Sequence, residues 1–204
     1  MAPPILNPPP AWKSFSSHVE LYHGCVLSAA RSIHRHGVDP TRGDPRTDFG
    51  RGFYATTLRR QARDWAVKRH LELPPAARPS DPPVVLRFRL PLDRLAPLHS
   101  LAFVRGDYHD DRFWSLVHHC RRSPRPPSAP HDHLYTGSAR RTGWYDVVVG
   151  PVAAFWQQRV AMTGADQISF HTRRAARRLT RLIRSGDPAQ FRVIRVRLPK
   201  GAGP

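Results

Sequence analysis

The placement of its prolines constrains this chain more than any other feature. Fourteen of the 22 prolines fall in three short stretches, Met1–Pro10, Pro74–Pro83 and Arg121–Pro130. Proline fixes φ and lacks a backbone N–H, so regular elements must lie between these stretches. They predict a loose tail over residues 1–17, two surface loops over 74–83 and 121–131, and a single domain over 18–199 with a short tail at 200–204. A chain of 204 residues has room for one sizeable core and is short for two. Its longest apolar stretch, Val147–Trp156, is broken by Gly150 and Pro151 and falls short of the ~18–20 residues of a membrane helix. Met1–Phe15 carries prolines where a secretory signal has its apolar run. The expectation is a soluble, cytoplasmic protein without a membrane partner, whose Cys25 and Cys120 are reduced thiols.

Between the breaks the pattern alternates between the two periods. Val19–Gly24, Gly52–Thr56, Val84–Leu90, Tyr145–Gly150, Gln167–His171 and Phe191–Leu198 read as strands. Val26–His36, ending at Gly37, and Leu58–Leu71, Asp111–Cys120 and Thr172–Arg184 read as helices. The strands outnumber what regular crossovers can connect, which predicts an α+β fold rather than a doubly wound sheet.

Thirty-three basic residues against fifteen acidic ones give a formal charge of +18, and all but Lys13, Lys68 and Lys200 of the basic residues are arginine. Such a field favours polyanionic partners. It is concentrated on the helix predicted over Thr172–Arg184. There Arg173, Arg174, Arg177, Arg178, Arg181 and Arg184 span one face, and Ala175, Leu179, Leu182 and Ile183 the other. The cationic face is a candidate polyanion contact.

Three segments gather the residue types that chemistry needs. Leu21-Tyr22-His23-Gly24 places a histidine at a strand end beside a glycine whose backbone is open to close approach. Asp48-Phe49-Gly50-Arg51-Gly52-Phe53-Tyr54 leads from a glycine-rich turn into an aromatic strand. Gln167, Ser169 and His171 alternate with Ile168 and Phe170, so the polar three share one strand face. Taken singly, His23 reads as a hydrogen-bonded structural residue, Tyr54 as a core aromatic and Gln167 as a surface strand residue. Trp65 reads as part of the apolar stripe of its helix, with Leu58, Ala62 and Ala66. His118-His119-Cys120 and His131-Asp132-His133 hold metal-ligand types, but adjacent ligands rarely close a tetrahedral site, so no metal is expected.

Taken together, in this order and spacing, the segments resemble a little-characterised bacterial family grouped with the ADP-ribosyltransferase toxins, in the His-Tyr-Glu branch that includes diphtheria toxin and the poly-ADP-ribose polymerases. The resemblance covers Val19–Trp65 and Tyr145–Leu182. It implies split antiparallel β-sheets with flanking helices, NAD as substrate, and transfer of ADP-ribose to a macromolecular acceptor, protein or nucleic acid. An antitoxin or immunity protein is an implied partner. His23 would hydrogen-bond a ribose, Gly24 would meet the nicotinamide carboxamide, and Tyr54 would stack on the nicotinamide, with Trp65 as a second aromatic. Arg51 is a candidate for the pyrophosphate. The third position of the branch is Glu, and here it is Gln167, which hydrogen-bonds but carries no charge and is no general base. Asp48, Asp146 and Asp166 are candidates for a helping carboxylate. The departure leaves two further readings: a catalytically silent module that binds NAD or ADP-ribose, and a basic nucleic-acid-binding protein.

Overall fold

The computed structural model describes residues 18–103, 111–122 and 145–198. The fold is mixed α+β, with two sheets. Strands β1 (His18–Val26), β3 (Pro83–Pro91) and β7 (Phe191–Arg195) form one antiparallel sheet in the order β1-β3-β7. The second, ordered β2-β6-β5-β4, contains β2 (Phe53–Ala55), β4 (Ser100–Ala102), β5 (Val147–Phe155) and β6 (Val160–Phe170).

The main core lies between the sheets. Leu21 and Cys25 of β1 and Val84, Leu86, Phe88 and Leu90 of β3 meet Phe53 and Ala55 of β2 and Ile168 and Phe170 of β6. Two helices close this core: α1 (Leu27–His36), and α4 (Arg173–Arg184), which inserts Ala175, Ala176, Leu179, Leu182 and Ile183. Helix α2 (Arg59–Leu71) covers the other face of the three-stranded sheet, where Ala62 and Ala66 meet Val85. Helix α3 (Asp111–Arg122) covers the other face of the four-stranded sheet through Phe113, Trp114, Leu116 and Val117.

Local chemistry sets the helix ends. The Asp81 carboxylate accepts from the Ser28 N–H and hydroxyl, both at 2.6 Å, at the positive end of α1. That helix stops at Gly37, whose φ of 86° suits glycine and whose N–H reaches the Ile33 carbonyl at 2.8 Å. Thr172 caps α4 by accepting from the Ala175 N–H at 3.1 Å.

Several boundaries differ from the sequence reading. The β5–β6 hairpin runs well past the expected strands, to Phe155 and Val160, whereas β4 pairs with β5 only at Val147–Val149. Among the described residues Pro151 has no strand partner on that side, where its missing N–H breaks no ladder bond. The β4–β5 pair is parallel, against the expectation of antiparallel sheets. Parallel neighbours need a long crossover, and α3 lies within the chain between them. The 74–83 stretch holds a 3-10 helix, Pro75–Ser80, and Pro83 opens β3. Arg121 and Arg122 belong to α3 rather than to a loop. The tails, the rest of the 121–131 stretch and His131–His133 lie outside the described residues. Among the described residues no helix is long and apolar enough to cross a membrane. Cys25 and Cys120 are buried and free of disulfides, and burial pushes both thiols up to about 12.

Candidate functional site

The two sheets touch at one backbone pair and then part. Tyr22 and Thr56 exchange hydrogen bonds, N–H to O at 2.8 and 2.9 Å. In a continued antiparallel ladder the next such pair would be Gly24 with Tyr54. The Tyr54 carbonyl is instead met by His23 Nδ1 at 2.6 Å, so an imidazole stands where a strand bond would have been. A carbonyl only accepts, so Nδ1 carries the proton and Nε2 holds the lone pair. Burial holds the His23 pKa below its ordinary value, opposed by this hydrogen bond, and its ring lies 4.4 Å from that of Phe53. The backbone alternation turns the N–H and C=O of Gly24 toward the same edge as those of Tyr22, where the sheets have separated. The other side of Gly24 is closed: a Cβ would lie 1.9 Å from the Ala62 carbonyl oxygen of α2. Only glycine admits the helix this close.

Beyond the split, the loop of residues 47–51 gathers the remaining groups. The Tyr54 hydroxyl donates to the Gly50 carbonyl at 2.7 Å and accepts from the Phe49 N–H at 3.0 Å, with the Thr47 hydroxyl 2.7 Å away. Its ring stacks on Phe49 with centroids 6.4 Å apart, and burial raises its pKa well above the ordinary value. Gln167 donates through Nε2 to Asp48 Oδ2 at 2.6 Å and to the Pro151 carbonyl at 2.8 Å. Both amide hydrogens are thus engaged, which leaves Oε1, an acceptor, as the part of the amide outside these contacts.

Asp48, 2% exposed, is held on every side. Arg121 grips Oδ1 through Nε at 2.6 Å and a terminal nitrogen at 2.5 Å, and the Ala153 N–H donates to Oδ2 at 2.8 Å. A buried carboxylate needs such pairing. Gln167 itself is 8% exposed, so the surface reading of it is corrected: its polar side is turned inward to Asp48. Ser169 and His171 continue the same face. His171 Nδ1 donates to the Arg51 carbonyl at 2.8 Å, and its Nε2 accepts from the Ser169 hydroxyl at 2.7 Å. Burial lowers the His171 pKa to about 4. Arg51 is half-buried, and its Nε is a buried donor without a partner.

The structure therefore joins Tyr54, Gln167, Asp48 and Arg51 through one loop, and His23 through the Tyr54 carbonyl. It does not join Trp65 to them in a ring contact. Trp65 is 49% exposed with the Lys68 ammonium 4.6 Å from its ring centre, which corrects its expected place in the buried stripe; Ala62, Ala66 and His70 fill that face. The other two carboxylates have local duties. Asp146 accepts from the His99 N–H at 3.0 Å and from the Thr172 hydroxyl, at the start of α4. Asp166 accepts from the Thr57 N–H at 2.9 Å and from both the Thr56 and Thr57 hydroxyls, at the start of α2. Sequence reasoning missed Thr47 and Arg121. Nothing local marks either one, although the helical period running on from Asp111 reaches Arg121. On α4 the six arginines lie on one side, five of them exposed, opposite a fully buried apolar face.

A family described as a protein of unknown function, DUF3990, matches residues 19–161, a span that takes in His23, Asp48, Tyr54 and Arg121 and stops short of Gln167. No curated protein matches the chain.

Proposed function

The chain belongs to the DUF3990 family, whose function is unknown, and we propose that this member is an NAD-dependent ADP-ribosyltransferase of toxin or effector type. On this reading the parted sheets are the split sheets of that fold, with NAD seated where β1 and β2 separate. The observation that carries the reading is the interrupted ladder. His23 takes the place of one strand bond, and the freed Gly24 backbone offers one donor and one acceptor, matching the two ends of a carboxamide.

In the reaction the bond from ribose C1′ to the nicotinamide nitrogen breaks, and its electron pair leaves with the ring. A nucleophilic atom of the acceptor bonds to C1′ and gives up its proton to solvent. The protein accelerates this by binding the transition state more tightly than the ground state. Neutral His23 accepts a hydrogen bond from a ribose hydroxyl at Nε2. Gln167, its amide fixed by Asp48, presents Oε1 to another hydroxyl, the geometry a carboxylate would offer without its charge. The partnerless Nε of Arg51 fits an anion, which is the pyrophosphate in this assignment. The acceptor is a macromolecule, protein or nucleic acid.

A second reading, a silent NAD- or ADP-ribose-binding module, draws on Asp48: its charge is matched by Arg121 and both its oxygens are occupied, so it supplies no base. Incubation with labelled NAD and host lysate, followed by mass spectrometry for added ADP-ribose, separates the two. The transferase reading expects modified acceptors, loss of turnover in Gln167→Ala, and NAD hydrolysis that persists or rises in Gln167→Glu. NAD binding by calorimetry with no turnover in wild type or Gln167→Glu replaces it with the module, and absence of both rejects the cleft as an NAD site.

A further inference from the structure

We infer that four arginines at the junction of α4 and the segment 92–97 form a docking site for the phosphodiester backbone of a nucleic acid, a site separate from the interrupted ladder and independent of the transferase reading. Arg174, Arg178 and Arg181 recur at i, i+4 and i+7 and share one helix face. Arg174 donates to the Pro97 carbonyl at 2.7 Å, which sets this face beside the 3-10 helix Leu92–Arg94. Arg178 is the central member. Its Nε is buried without a hydrogen-bond partner, and the charges of Arg181, Arg174 and Arg94 act against its own, offset in part by that of Asp146. That atom is closed to solvent, but Arg178 as a whole is only half-buried, so the rest of its guanidinium is open to a partner outside the fold.

The nearby carboxylates do not meet the need. Asp146 is taken by His99, Thr172 and, at 3.8 Å, Arg174. Asp93 lies 4.0 Å from its neighbour Arg94, with both side chains more than half exposed. Positive charge is left in excess, and Arg173, Arg177 and Arg184 extend it along the helix. From Arg173 to Arg184 the row spans about 16 Å. Each strand of a duplex presents a phosphate about every 3.4 Å along the helix axis, so the row meets several at once, and a free guanidinium fork grips two phosphate oxygens. A stiff chain of evenly spaced charges suits such a row better than the flexible, unevenly charged side chains of an acidic peptide.

The test uses the full chain without NAD and a fluorescein-labelled DNA duplex of about 20 base pairs, read by anisotropy across a salt series. Combining Arg94→Gln, Arg178→Gln and Arg181→Gln should weaken binding about tenfold or more at low salt and flatten the log–log salt slope by about 2–3. Arg31→Gln, Arg35→Gln and Arg195→Gln together remove the same charge from exposed positions elsewhere and should weaken it less than about threefold. Equal losses from the two sets would overturn the proposal, because binding would then follow net charge alone. Wild-type protein that binds labelled poly-glutamate of matched charge as tightly as the duplex would overturn it in favour of an acidic protein partner. Thermal melting confirms that the variants fold; if the triple variant does not, exposed Arg181→Glu alone should still weaken DNA binding measurably and leave the melting temperature unchanged, and unchanged DNA binding there would likewise overturn the site.

Discussion

Strand β6 shows two regions of the molecule on its two faces. Ile168 and Phe170 enter the inter-sheet core, where the neighbours are aliphatic or aromatic. Gln167, Ser169 and His171, one residue out of step, are equally shielded from water, yet each spends its side chain on hydrogen bonds. The first face stabilises by removing apolar area from water. The second gains little net free energy, because every bond replaces one to water; what it provides is position, fixing the loop of residues 47–51 against the sheet. One face holds the fold together and the other aims it.

The contrast breaks first at Phe170. Phe170→Ala should cost about 3–5 kcal/mol in urea unfolding, and a loss below about 1 kcal/mol would remove the inter-sheet core as the main source of stability. Acid should expose the polar face next. The unfolded chain takes up a proton on His171 below about pH 6.5, whereas the folded chain resists until about 4. The unfolded state thus binds more protons across this window. Stability is full above it and falls as the pH drops through it, by up to about 3 kcal/mol. His23, with its pKa lowered in the same direction, adds to the slope. Unfolding free energies measured from pH 7 to 4 check this, and His171→Gln should flatten the dependence; an unchanged slope in that variant would place the acid sensitivity elsewhere.

Asp48→Asn sharpens the comparison further. It keeps the shape but leaves Arg121 without its counter-charge and sets an amide against the Gln167 amide, for a loss of about 2–3 kcal/mol. Equal or greater stability by chemical denaturation would show the contacts of Asp48 with Arg121 and Gln167 to be dispensable to the fold. Ser169→Ala is the mildest test. One hydroxyl is lost and the His171 Nε2 lone pair goes unmet, so about 1 kcal/mol is expected, and a loss as large as that of Phe170→Ala would erase the distinction between the faces.

How much of this was legible beforehand follows from what is local. Alternation in Val84–Leu90 and the 3.6-residue stripe of Arg173–Arg184 mark elements whose partners hardly matter, and both were found nearly to the residue. Val160–Asp166 carried no such mark: its hairpin end is largely exposed, and Gly150-Pro151 imitates a stop where β5 continues. Trp65 was misplaced because its helix buries alanines against Gly24, and the narrow stripe has no room for an indole. In the candidate site, the polar face of β6 could be seen from its period of two, and Asp48 stood among three carboxylates that could serve Gln167. Choosing among those three required knowing that Arg121 and Asp48, 73 residues apart, meet.

That separation bears on the order in which the molecule can be made. The loop of residues 47–51 is synthesised long before β6: Gln167 lies 119 residues after Asp48 and His171 120 after Arg51. Contacts this distant form late, since the chain must close a long loop before they repay it. A growing chain on the ribosome therefore carries its loop without the strand that aims it, and no fragment ending before β6 contains the arrangement. Whatever the site does, it begins only once β6 has been made through His171.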